Sequence, residues 1–155
     1  MDSLYLARIA HLVSVIAWFG GVWFVTLIVI PAIGRNQPPD RRMEAFHQIE
    51  GRFAPQASVW VLLTGASGFW MAWKMDLWWR FADWAYWWMW AMLALWLLFV
   101  VMLFIIEPFV IHPRMKRRDD DGRSFGRMQL IHWILSLAGL ITIAGAVAGA
   151  HGWTP

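Results

Sequence analysis

The sequence contains no cysteine among its 155 residues. This absence excludes disulfides, thiolate metal sites, iron–sulfur clusters and covalently attached c-type haem. The N-terminus, which begins Met1-Asp2-Ser3, also lacks the positively charged region and the small-residue cleavage site of a secretory signal peptide. The remaining ligand types are therefore His, Met, Asp and Glu, and we expect the first apolar stretch to be a retained span.

Hydrophobic residues dominate the composition, at 60% of the chain with 14 tryptophans and a mean hydropathy of +0.51. A soluble domain of this size would expose too much apolar surface, which predicts the lipid bilayer as solvent. A spanning helix needs about 20 apolar residues, and four stretches qualify: about 4–33, 53–73, 85–111 and 128–150. The sequence predicts an all-α integral membrane four-helix bundle as a single domain, 1–155, with an interfacial helical segment at about 43–52.

Basic residues concentrate in two connections, 35–42 and 114–127, which follow the first and third predicted helices. Connections after odd-numbered helices lie on one side of the membrane, and the positive-inside bias makes that side cytoplasmic. Both termini are then predicted on the periplasmic side of a bacterial inner membrane. The net charge of +3 reflects these loops, so nucleic acid is not a predicted partner.

One face of the first helix combines a histidine with residues that suit a binding site. His11 shares this face with Ser14 and Trp18, because three- and four-residue steps return to the same side of a helix. An imidazole in a spanning helix costs free energy unless it faces a partner or a cofactor. Gly20 and Gly21 would let another helix or a flat ligand approach closely. We expect any chemical function to involve this face.

The predicted orientation sorts the five histidines by depth. His11 and His151 fall near the outer face, whereas His132 falls near the inner face with His47 and His112. Neutral imidazole is a common axial ligand of haem iron, and helical bundles often hold such sites in their cores. The sequence therefore predicts haem b, with His11 and His151 as outer candidates, and His132 with His47 or His112 as an inner alternative.

The spacing within the fourth helix limits the number of haems. His132 and His151 are 19 residues apart. This spacing corresponds to ~28 Å along a helix and a rotation of ~100°. One haem, or two haems whose ligands come from different helices, fits this spacing better than two haems on one helical face.

A second hypothesis is a copper, iron or other metal ion near the inner face. His47 and Glu50 lie one helical turn apart, and Glu107 and His112 are predicted at a similar depth. Structural interpretations remain open for each residue. His47 and His112 can be solvated at the interface, His151 can be a terminal structural residue, and Glu107 can satisfy backbone groups freed by Pro108.

The connection 74–90 is rich in aromatic residues and holds six of the 14 tryptophans. Trp and Tyr accumulate at the headgroup level, where one end of the ring is apolar and the other is wet. An aromatic belt with a short surface helix is one interpretation. Alternatives are a docking surface for a quinone or porphyrin, and a contact with a membrane-complex partner or a second copy of the chain.

Three segments resemble a known family of membrane proteins. The stretch His11–Gly21, followed by an apolar run to Pro31, resembles the opening helix of copper-resistance D (CopD)-like proteins, a signature shared by HemJ-type protoporphyrinogen IX oxidases. The segment Glu50–Pro55 is similar to the entry of helix two in HemJ-type proteins. Phe109–Arg114 resembles the exit of helix three in CopD-like proteins.

The resemblance implies a haem b-binding bundle in which His11 is a ligand or active-site residue, with Trp18 beside it. HemJ-type proteins carry a required lysine where this chain reads Trp87–Trp90, and an Asn-Glu pair near the position of Ile131-His132. The resemblance therefore implies the bundle more strongly than the oxidase reaction.

The sequence supports three hypotheses for the function. The leading one is a haem b redox protein that moves electrons between a quinone or porphyrinogen and a partner. The others are a protein that handles copper or another metal, and a structural subunit of a membrane complex.

Overall fold

The computed structural model describes the backbone of residues 2–111 and 123–153, and the side chains of residues 3–106 and 124–153. Within these ranges the chain is helical and contains no strand. The α-helices are α1 (Asp2–Phe24), α2 (Ile30–Asn36), α3 (Arg42–Lys74), α4 (Trp87–Val101) and α5 (Arg123–Ala150). Two π-helical segments, Val25–Val29 and Met102–Ile111, continue α1 into α2 and extend α4. Short 3₁₀ turns occupy Pro39–Arg41, Trp78–Ala82 and Trp84–Tyr86.

Among the described residues, three helical stretches are long and apolar enough to cross a membrane: Ser3–Asn36, Trp84–Ile106 and Ser124–Ala150. This finding agrees with the predicted first, third and fourth spans. The outer surface of the molecule is apolar as well. Leu6 and Ile16 on α1 are 66% and 69% exposed, and many other large apolar side chains face outward. Such a surface suits contact with lipid rather than with water.

The first π-helical segment accommodates a proline within a long helix. Pro31 has no N–H, so the regular pattern of hydrogen bonds cannot continue through it. The N–H of Ile30 reaches the carbonyl of Val25, five residues earlier. Such local adjustment satisfies backbone groups that lipid could not. Pro108 lies within the second π-helical segment, where the same adjustment applies.

Helix α3 is continuous for 33 residues and passes through Pro55. It joins the segment predicted as interfacial, about 43–52, to the predicted span at about 53–73. Proline removes the hydrogen bond to the carbonyl four residues earlier, which belongs to Gly51. Both Gly51 and Pro55 are exposed, so the unpaired carbonyl lies on the outside of the molecule and the helix persists.

Helix α3 is not among the three most apolar stretches because it carries Thr64, Gly65 and Ser67 in its membrane-length portion. These residues are buried in the structure. They lie against other helices, where small residues permit close packing.

Helix α1 packs antiparallel to α3 and also contacts α5. A side chain at Gly21 would overlap the ring of Phe53 on α3. On the other flank, Phe19 fills the space above Gly139 of α5. The hydroxyl oxygens of Thr26 and Ser136 lie 2.9 Å apart, and both residues are fully buried. Helix α1 is therefore the element that brings α3 and α5 together.

Helix α4 completes the packing through tryptophans set against glycines. The indole of Trp96 lies over Gly65 of α3 and donates to the carbonyl of Val61 at 2.9 Å. Trp88 covers Gly149 of α5 in the same way and is buried. The glycine at position 149 thus allows α4 and α5 to pack closely. It also places part of the Trp-rich segment inside the molecule, whereas Trp84 is 87% exposed.

The central core draws on all four long helices. Its buried members are Trp18, Phe19, Val22, Val61, Phe99 and Leu135. The Trp18 ring meets Phe99 edge-on at 4.8 Å between ring centroids. A second buried cluster lies nearer the 37–42 end, around Ile30, Phe46 and Phe125.

Candidate functional site

His11 is fixed by helix α3. Its Nδ1 lies 3.0 Å from the carbonyl oxygen of Thr64 and 3.2 Å from Oγ of Ser67. A carbonyl can only accept, so Nδ1 carries the proton in this bond. In the neutral imidazole the other nitrogen, Nε2, is then an acceptor with a free lone pair. No hydrogen bond to Nε2 is found among the described residues. The arrangement therefore presents one nitrogen lone pair on a ring of fixed orientation.

The surroundings of His11 form a small polar network between α1 and α3. Ser14 donates its hydroxyl to the carbonyl of His11 at 3.0 Å, and Thr64 donates its hydroxyl to Ser14 at 2.9 Å. A Cβ at Gly68 would lie 3.2 Å from Cε1 of His11. The glycine thus leaves the space in which the ring lies against α3. The predicted face of His11, Ser14 and Trp18 does turn inward, because Ser14 and Trp18 are both buried.

The other two haem-ligand candidates are each tied to their own helix. His151 is exposed, and its Nδ1 lies 2.8 Å from the carbonyl of Val147. His132 is half-buried, and its Nδ1 lies 3.0 Å from the carbonyl of Met128. Among the described residues, no hydrogen bond or ring contact joins His11 to either histidine. The pairing of ligands therefore stays a prediction.

A cavity of about 70 Å³ lies between α1, α3, α5 and the end of α4 with the π-helical segment that extends it. Three of the candidate cofactor-binding or metal-binding residues border it: Trp18, Glu50 and His132. Apolar side chains form the rest of its lining, including Val25, Phe53, Phe99, Met102 and Leu135. Sequence reasoning selected these three polar residues separately and did not bring them together. They come from three helices, whose relative positions no local pattern encodes.

The predicted inner metal site is only partly contained in the described side chains. His47 and Glu50 are in contact, with 3.1 Å between Nδ1 and Oε2. The ring of His132 meets Phe46 edge-on, next to this pair. The side chain of Glu107 and the whole of His112 lie outside the described residues. Within the part of the chain that is described, no three His, Asp or Glu side chains come together as a metal site.

The residues around His11 fit one part of a haem site and not another. A neutral imidazole whose Nδ1–H is held by a backbone carbonyl is the usual form of a metal-ligating histidine. The enclosed space near this site, by contrast, is too small for a haem. Pockets for drug-sized ligands are typically about 300–1,000 Å³, whereas the cavity beside Trp18 is about 70 Å³ and is not bordered by His11. The fit therefore rests on the ligand atom and not on a preformed slot.

Comparisons with protein-family models, with curated proteins and with solved structures give no match for this chain. The resemblance to CopD-like and HemJ-type proteins consequently stays a prediction based on the residues quoted above.

Proposed function

We propose that this protein is a haem b-binding redox protein of the membrane, in which Nε2 of His11 would hold the haem iron. The observation that carries the proposal is the hydrogen bond from Nδ1 of His11 to the Thr64 carbonyl. That bond selects the tautomer in which Nε2 is free, and it fixes the ring so that little freedom is lost when a metal binds. Haem b would supply one-electron transfer at this position.

The chain's own residues have defined tasks in this proposal. Thr64 and Ser67 orient the imidazole through hydrogen bonds at Nδ1. The buried hydroxyl of Ser14 links the carbonyl of His11 to the hydroxyl of Thr64, which holds α1 against α3 beside the ring. A quinone or a porphyrinogen is the proposed redox partner, since both are apolar enough to reach a site from the bilayer. His151 is the candidate for a second ligand at the outer face, and His132 is the candidate ligand at the inner face.

The proposal also includes a membrane topology with four crossings, one more than the three apolar stretches described above. We infer that α3 also crosses the bilayer, because it runs antiparallel to α1 along its length and turns its small polar residues inward. Four crossings place both termini on one side. The basic connections 35–42 and 114–127 make the opposite side cytoplasmic in a bacterial inner membrane. His11 then lies in the outer half of the bilayer.

The haem content of purified variants tests the assignment of His11. We expect His11→Ala to lose bound haem, because no other described side chain replaces the Nε2 lone pair at that place. Ser58→Ala is the control: it removes a half-buried hydroxyl of α3 that bonds only to the carbonyl of Ala54 in its own helix, and it should retain the haem of the wild type. Pyridine haemochrome quantification measures both. Equal haem content in the two variants would contradict ligation by His11, and metal analysis of the same samples would detect copper or iron handling instead.

A further inference from the structure

Three residues that carry polar groups, each from a different helix, line the cavity beside the central core. Trp18 comes from α1, Glu50 from α3 and His132 from α5, and the remaining lining is apolar. Polar groups of this kind are costly in a membrane interior unless they have partners. The cavity is separate from the network around His11, because His11 does not border it.

The indole N–H of Trp18 is the deepest of these groups. Trp18 is only 3% exposed, and its Nε1 is buried without a hydrogen-bond partner among the described residues. Buried donors in folded proteins nearly always have a protein or water partner. A ligand in the adjoining cavity that accepts a hydrogen bond would satisfy this donor.

The size of the cavity selects the ligand. About 70 Å³ is available. This is room for roughly two to five water molecules by the usual volume per water, and Trp18, Glu50 and His132 supply the polar partners that water needs in an otherwise apolar lining. A quinone ring or a porphyrin would require the walls to move. Water is the acceptor that fits the space as it stands.

The other two polar groups can both accept hydrogen bonds from such water. The Nδ1–H of His132 is engaged by the carbonyl of Met128, which leaves Nε2 as an acceptor in the neutral ring. Glu50 contacts His47, and their side chains are 25% and 17% exposed. Glu50 is therefore both a wall of the cavity and a partly exposed surface group. It connects the interior with the medium at that end of the molecule.

We propose that this cavity is a hydrated proton-exchange site in which Glu50 takes up protons from the medium and cavity water passes them to Nε2 of His132, while the indole N–H of Trp18 donates a hydrogen bond to this water. In each transfer one O–H bond breaks and one O–H or N–H bond forms, with no change of oxidation state. The site does not depend on haem binding at His11. Its function would be to bring protons from one membrane face to the centre of the molecule.

Water contact at the tryptophan indoles tests the hydration directly. In bilayer-reconstituted protein labelled with [¹⁵N]tryptophan, we expect a water cross-peak at Nε1–H of Trp18, assigned by its loss in Trp18→Phe. Trp60 is the internal control, because its Nε1 is also buried and unpartnered among the described residues but does not border the cavity. A water contact at Trp18 and none at Trp60 supports the proposal. No water contact at Trp18 overturns it.

Filling the cavity tests its location. Ala57 is buried and lines the cavity, so Ala57→Leu should abolish the water cross-peak of Trp18. Ala66→Leu, at an exposed position on the same helix, should leave it unchanged. The other indole signals report whether each variant is folded. A folded Ala57→Leu protein that keeps the cross-peak would show that the water lies elsewhere.

Exchange of the Trp18 N–H with deuterated water tests the role of Glu50. We expect Glu50→Gln to slow this exchange several-fold while the water cross-peak persists, because the amide keeps the shape of the side chain and loses its ability to take up a proton. Glu44→Gln removes an exposed carboxylate from the same helix and should leave the rate unchanged. Equal rates in the two variants would overturn the assignment of Glu50 as the proton entry.

Discussion

At the scale of single residues, some buried hydroxyls of this protein bond across helices and others only within their own helix. Thr26, in the π-helical segment that follows α1, donates to the carbonyl of Val22 and also meets the hydroxyl of Ser136 on α5, whereas Thr142 bonds only to the carbonyl of Ala138 in its own helix. A hydroxyl bonded within its own helix keeps that bond when the helices separate in the membrane. Only the first kind of contact therefore contributes to helix association.

The difference predicts the effect of two matched substitutions. Thr26→Val removes the bond to Ser136 and leaves that hydroxyl in a fully buried position. We expect the free energy of unfolding to fall by about 0.6 kcal/mol, and at most by about 2 kcal/mol, the range found for hydrogen bonds between membrane helices. Thr142→Val, also at a buried site, should change it less. Denaturation in detergent micelles, followed by circular dichroism, measures both, and an equal loss would refute the bridging role.

The site shows how far single residues could be predicted from the sequence. His11 stood out because it is an imidazole in an otherwise apolar stretch. Its partners on α3, Thr64 and Ser67, could not be predicted, because the register between two helices is decided by packing. The same holds for the cavity formed by Trp18, Glu50 and His132. Each residue is conspicuous on its own helix, but their meeting depends on the tertiary structure.

At the scale of helices, glycines decide which surfaces approach. A Cβ at Gly65 would lie 2.5 Å from Cε2 of Trp96, so the indole could not keep its place and its bond to Val61. Gly51, on the same helix, has no atom within 4 Å of its Cβ position. Gly65 is therefore required for close packing, whereas Gly51 has no packing partner.

Replacing each glycine by alanine tests these roles. We expect Gly65→Ala to destabilise the protein by about 1–3 kcal/mol, the usual cost of overpacking. Gly51→Ala should stabilise it by about 0.5–1 kcal/mol, because alanine is the better helix former and meets no obstacle. Unfolding midpoints of the two variants under the same conditions provide the measurement. A neutral Gly65→Ala would mean that Trp96 can move freely.

The helical stretches themselves were predictable from the long apolar runs, and their bounds agree within a few residues for the first and third. The continuity of α3 through Pro55 was only partly predictable. Charged residues before Pro55, and the proline itself, indicated an interfacial helical segment that leads into the second span, with a kink or the first turn of that span at Pro55. The structure instead exposes Gly51 and Pro55 on the outer surface, where a missing hydrogen bond does not require the helix to end.

At the scale of the whole molecule, the asymmetric distribution of basic residues predicts a single orientation. The natural absence of cysteine allows a test without any background label. We expect Ser3→Cys and Met75→Cys to react with a membrane-impermeant maleimide added outside intact spheroplasts. Arg35→Cys should react only after permeabilisation, because the proposed topology puts this basic connection on the cytoplasmic side.

The two outer positions distinguish the number of crossings. Met75 follows the end of α3, so its labelling from outside requires that α3 cross the bilayer. Labelling of Met75→Cys only after permeabilisation, with Ser3→Cys labelled in intact cells, would contradict the four-span topology. It would favour an α3 that lies on the cytoplasmic side.

The visible spectrum of the purified wild-type protein tests the central claim most directly. The account predicts that dithionite reduction in detergent produces a difference spectrum with the Soret and alpha bands of a b-type haem, at one or two haems per chain. Folded protein with a featureless difference spectrum, purified with haem in ample supply, would contradict the assignment of His11 as a haem ligand.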